Sequence, residues 1–136
     1  MTVQAFGQSL IRYPESGHLA ANFGCPVLDH DLLLRQCLGD LELADELLVL
    51  FVAQAALVGA RLRKDAFAPD AFANIAHLLK GSAAAIGALQ VVELAQHFDS
   101  AWRNGTPEAD PQAAQLQLAA ALDVACAAIA ALRSNR

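Results

Sequence analysis

Aromatic residues make up only 6% of this 136-residue chain and charged residues only 17%, and its nine lysines and arginines are outnumbered by fourteen acids. With a net charge of −5 and a pI near 5.1, the chain lacks the dense basic surface that grips a nucleic-acid backbone. The nearest basic run, "ARLRK" at 60–64, reads as a helix end. Three cysteines, Cys25, Cys37 and Cys126, lack metal-ligand spacing and sit among apolar residues, so reduced thiols in a cytoplasmic protein are expected. No basic start leads into an apolar run, and no secretory leader is expected. The strongest apolar stretches, "LLVLFVAQAALVGA" and "LAAALDVACAAIAAL", are shorter than about 18 residues or interrupted by Asp123. They read as core helices, with no membrane association. A glycine-rich nucleotide loop of the GK[ST] kind is also missing, so nothing in this sequence would hold ATP.

What is abundant is small and apolar. Hydrophobic residues reach 56%, and an alanine-rich, ring-poor composition favours closely packed helices in a single domain. Asp29 is placed to cap a short helix through "HDLLLRQCL", with Gly39 closing it. Asp40 caps the next, in which Leu43, Leu47, Leu50, Phe51, Gln54, Leu57 and Val58 recur at intervals of three and four as far as Lys64. Pro69 and Asp70 begin a second long helix that reaches Ile86 and stops at Gly87. A third runs from Ala88 to Arg103 and ends at Asn104 and Gly105, and Asp110 with Pro111 starts a fourth that reaches Arg133. Connections this short make neighbouring helices antiparallel. The expectation is all-α: an up-and-down antiparallel four-helix bundle over residues 27–136 with a short additional N-terminal helix, preceded by an arm over residues 1–26. Within that arm, residues 3–11 are compatible with a short helix.

The segment "AHLLKGSAAAIGA", residues 76–88, places a histidine, a lysine and two glycines in the second long helix, although an internal glycine costs roughly 1 kcal/mol relative to alanine. On a helical wheel Phe72, Ile75, Ala76, Leu79, Ala83 and Ile86 form the buried stripe, while His77, Gly81 and Ala84 fall opposite, flanked by Asn74 and Lys80. Helical side chains lean toward the N-terminus, so the residue one turn after His77 would cover it. That residue is Gly81, and the imidazole is left open. An ordinary solvated face would carry long polar side chains at 81, 84 and 85; Gly81, Ala84 and Ala85 instead leave a flat surface suited to docking. A histidine near its ordinary pKa of about 6.5 is largely neutral at cellular pH and can attack phosphorus through a ring nitrogen. Lys80, one turn away, can balance the anion formed.

"HLLKGSAAAIGA" resembles the signature of histidine-containing phosphotransfer domains, with His77, Leu79, Lys80, Gly81, Ser82, Gly87 and Ala88 in register. The similarity covers residues 27–133. The resemblance implies a phosphocarrier that accepts a phosphoryl group on Nε2 of His77 and exchanges it with an aspartate of a response-regulator receiver domain, without kinase activity of its own. Lys80 would assist electrostatically and Gly81 keep the approach clear, with Ser82 and Gly87 in supporting roles; Ser82 is expected to bond back to the preceding turn. The implied partners are receiver domains and a sensor or hybrid histidine kinase. No cofactor is expected on this chain, because Mg²⁺ would sit in the receiver's acidic pocket. The sequence departs from the family pattern in having alanine at both 84 and 85 and Leu78 after the histidine. The rim around His77, expected to comprise Asn74, Leu78, Ala84, Ala85 and His97, is correspondingly apolar.

Other features weigh less. His97 and Glu93 share a helix face with Gln90, expected to be exposed, and Trp102 and Phe98 fall on the apolar side, expected in the core. His18 and His30 lie apart from any acid or thiol cluster. A docking regulator of a receiver or kinase that is never phosphorylated is the alternative function and would not need His77. With no extra helix pair for dimerisation, a monomer is expected.

Overall fold

Three aspartates start three of the helices. Asp29 accepts from the backbone N–H of Leu32, Asp40 from that of Leu43 and Asp110 from that of Ala113, at 3.0, 3.0 and 3.1 Å, which satisfies donors that have no partner within the helix. The computed structural model describes residues 24–107 and 109–135. These form five helices: α1 (His30–Gln36), α2 (Leu41–Lys64), α3 (Pro69–Ile86), α4 (Leu89–Arg103) and α5 (Pro111–Ser134), with no strand among the described residues. The N-terminal arm and the helix considered at residues 3–11 lie outside the described residues, apart from residues 24–26, as does His18.

The four long helices make the all-α bundle, α3 packing chiefly on α4 and α2 chiefly on α5, with α1 lying against α2 and α3. Leu33, Leu48, Leu62, Leu79, Leu94, Leu118, Leu122 and Ile129 are fully buried in one core, each side chain contributing roughly 1.5–3 kcal/mol by leaving water. Alanines 44, 76, 83, 95, 119 and 125, also buried, let the helices approach closely. By length and composition alone α2 and α5 could each cross a membrane; in this fold both contribute to the shared core. The α2–α3 connection is held by Gln115 of α5, whose buried amide donates to the carbonyls of Leu62 and Asp65 and accepts from the N–H of Phe67.

Three expectations are corrected. The short first helix stops at Gln36 instead of reaching Leu38, because buried Cys37 turns inward and both Leu38 (φ 54°) and Gly39 (φ 80°) are left-handed. Trp102 is not in the core: α4 ends one residue later, and the indole lies partly exposed beside Phe67, Pro69, Phe72 and Pro111. Phe98, by contrast, is buried. Gln90 is buried as well, since residues 25–28 cross this end of α4 and the Gln90 amide donates to the carbonyl of Cys25 at 2.9 Å. Beside it, burial and the hydrogen bond and charge of Glu93 push the Cys25 thiol up to about 12. All three cysteines are free thiols.

Candidate functional site

The wheel assigned to α3 holds. Phe72, Ala76, Leu79, Ala83 and Ile86 are buried, Ile75 is partly buried, and Asn74, His77, Leu78, Gly81, Ala84 and Ala85 are exposed. Ser82 is half-buried. His97 is half-buried on α4, its ring centroid 5.3 Å from that of Phe98 in an edge-on arrangement, so it is held by its own helix and not freely displayed.

The two glycines of the motif do different things. A Cβ built on Gly81 would meet nothing within 4 Å, whereas one on Gly87 would lie 2.6 Å from the carbonyl oxygen of Asp29. Gly87 also has φ 81° and its carbonyl accepts from the N–H of Asp29 at 2.8 Å. The left-handed cap and the close chain crossing both need glycine there. Nothing inside the molecule needs it at 81. Just beyond, the Gln36 amide of α1 donates to the carbonyls of Ala84 and Ala85 at 3.1 and 2.7 Å, tying α1 to the last turn of α3.

His77 is 53% exposed at its side chain, yet its Nδ1 lies 3.2 Å from Oδ2 of Asp99 on α4. Asp99 is only 6% exposed and is the hub of the site: Oδ2 also accepts from Nζ of Lys80 at 3.4 Å, and Oδ1 from Nε of Arg103 at 3.2 Å. Burial by itself would raise this carboxyl's pKa. The hydrogen bonds from His77, Arg103 and Lys80, with the charge of Arg103, outweigh burial and hold it below its ordinary 3.8. Asp99 is therefore a carboxylate at neutral pH, able only to accept.

This fixes the imidazole. A carboxylate facing Nδ1 selects the tautomer that carries its proton on Nδ1, and leaves the lone pair on Nε2. Arg103 also approaches Nδ1, but at 3.5 Å, the outer limit of a hydrogen bond; the shorter contact to the anion decides. Among the described residues no hydrogen bond reaches Nε2. The ring therefore has one nitrogen held from behind and one facing outward beside the open space of Gly81.

Asp99 and Arg103 were not among the residues singled out from the sequence. The signal was present: counting back from Asp99 by four and eight reaches Ala95 and Val91, both buried, so this acid lies on the apolar stripe of α4. An acid on a buried stripe needs cationic partners, and Arg103 stands one turn on.

Among the described residues no group of three or more His, Cys, Asp or Glu could hold a metal ion. The Hpt domain family model matches residues 31–132. No curated protein and no solved structure matches the chain.

Proposed function

The chain belongs to the Hpt domain family and has that family's general function of a phosphorelay phosphocarrier rather than an enzyme; on this premise we propose that His77 is the residue that carries the phosphoryl group. The observation that supports this is the Asp99-held imidazole, with Nδ1 engaged at 3.2 Å and Nε2 left as the nucleophile. In this reading Nε2 attacks the phosphorus of a receiver's aspartyl phosphate; the P–N bond forms as the P–O bond to aspartate breaks, and the pair of electrons leaves with the aspartate oxygen. The imidazolium so formed keeps its Nδ1 proton against Asp99, which stabilises the charge. Reversal returns the phosphoryl group to an aspartate.

Lys80 supplies the nearby mobile charge. Its ammonium rests on Asp99 at 3.4 Å and lies one turn from His77, close enough to swing toward phosphoryl oxygens. Gly81 gives the incoming receiver access, with Asn74, Leu78, Ala84, Ala85 and His97 proposed as the rim. Receiver domains and a sensor or hybrid kinase are the proposed partners, in the cytoplasm, and Mg²⁺ would be brought by the receiver. Offering a phosphorylated receiver to the wild type and to His77→Gln tests the reading. It predicts an acid-labile, base-stable label on the wild type only; labelling of the variant would remove His77, and receiver binding without any label would favour the docking regulator.

A further inference from the structure

The outward face of α2 is apolar over most of its length. Between Glu46 and Arg61, residues 47–60 hold no charged side chain, a stretch about 20 Å long at 1.5 Å per residue. Ala44, Leu48, Phe51, Ala55, Gly59 and Leu62 turn into the core. On the opposite face Leu50 and Leu57 are 65% and 71% exposed, Leu43 and Val49 are exposed as well, and Ala53, Ala56 and Ala60 lie bare between them. Isolated exposed leucines need no explanation, whereas a continuous stripe of them marks a contact surface.

The charges at its two ends say what fits. Glu42 and Glu46 stand at one end, Arg61 and Lys64 at the other, all exposed. The uncharged stretch is also matched about its own midpoint: Leu50 and Leu57 are equidistant from the peptide between Ala53 and Gln54, and so are Glu46 and Arg61. A helix laid antiparallel to itself about that point sets Leu50 against Leu57 twice and Glu46 against Arg61 twice, with Lys64 of each copy level with Leu43 of the other. Ala53 of each copy faces Gln54 of the other at the crossing, and the small residue eases the approach of the two backbones. This is the self-complementarity that a two-fold contact requires.

We propose that this stripe pairs two copies of the chain through α2, antiparallel and two-fold symmetric. A parallel pairing would set acid against acid and base against base. The monomer expected from the sequence rested on the lack of an additional helix pair, and this contact needs none. Arg61 keeps an exposed partner in Asp65 at 3.4 Å within its own chain; such a pair contributes little and can be shared across the contact.

Sedimentation equilibrium of the full chain tests the pairing. The wild type should show a mass near twice the 14.3 kDa of one chain and dissociate on dilution. Leu50→Glu and Leu57→Glu, at exposed positions, should each weaken association at least tenfold with unchanged circular dichroism. Glu46→Lys should weaken it too, and the double variant Glu46→Lys with Arg61→Glu should recover association, a result that no folding defect produces. A single-chain mass for the wild type throughout the micromolar range, or a double variant no stronger than Glu46→Lys, would overturn the proposal. It would equally be overturned if the wild type were monomeric and instead sedimented with phosphatidylglycerol vesicles, or lost receiver binding through Leu57→Glu.

Discussion

Asp99, buried on α4, accepts a hydrogen bond at 3.2 Å from Nδ1 of His77, an exposed residue on the neighbouring helix α3. The reactive outside of the ring is thereby set by an anion that solvent hardly reaches.

Replacing Asp99 with Asn should separate positioning from folding. Loss of a charge-assisted hydrogen bond of about 1.5–3 kcal/mol predicts phosphotransfer slowed about 10- to 100-fold. The readout specific to positioning is the tautomer: ¹⁵N NMR of the wild type should show the proton on Nδ1, and that of Asp99→Asn a shift toward Nε2. An unchanged tautomer in a slowed variant would mean that Asp99 acts in another way.

The same carboxylate makes stability depend on pH with a definite sign. Its folded-state pKa lies below the ordinary 3.8, so its contribution is complete above that value and is lost as the pH falls through the lower, folded-state pKa. Urea titrations should show the wild type more stable than Asp99→Asn at neutral pH, with the gap closing below about pH 4. A gap that persisted into strong acid would contradict an ionised Asp99.

Lys80→Ala should slow transfer about tenfold, near the 1.4 kcal/mol that one modest charge interaction represents, and leave the melting transition almost unchanged. Single-turnover transfer from a phosphorylated receiver measures it. An unaltered rate would take the lysine out of the mechanism.

The two glycines should respond in opposite directions. Gly81→Ala meets open space and should stabilise α3 by about 0.5–1 kcal/mol, while Gly81→Gln should fold well but transfer slowly because it obstructs the receiver. Gly87→Ala must adopt a left-handed backbone against the carbonyl of Asp29 and should cost at least about 1–2 kcal/mol. Transfer by Gly81→Gln at the wild-type rate would refute the clearance argument.

The helices and the exposed motif were legible because each had a local signal: three aspartate caps, Pro69 and Pro111 in first turns, Gly87 at a left-handed stop, and a clean apolar stripe on α3. The hidden part was relational. Gln90 reads as polar surface until residues 25–28 are seen to cross α4, and Trp102 reads as core until the helix is seen to end at once. Asp99 sat on the buried stripe of α4, but only the packing of α3 on α4 brings His77 and Lys80 to it, and no wheel of a single helix contains that pairing.

The central claim is that Asp99 holds Nδ1 so that Nε2 of His77 takes the phosphoryl group. Labelling from a phosphorylated receiver, followed by ³¹P–¹⁵N NMR of the intact protein, reads the bonded nitrogen directly. Phosphorus coupled to Nε2 of His77 is the predicted result; coupling to Nδ1, or a label on any other residue, would contradict it.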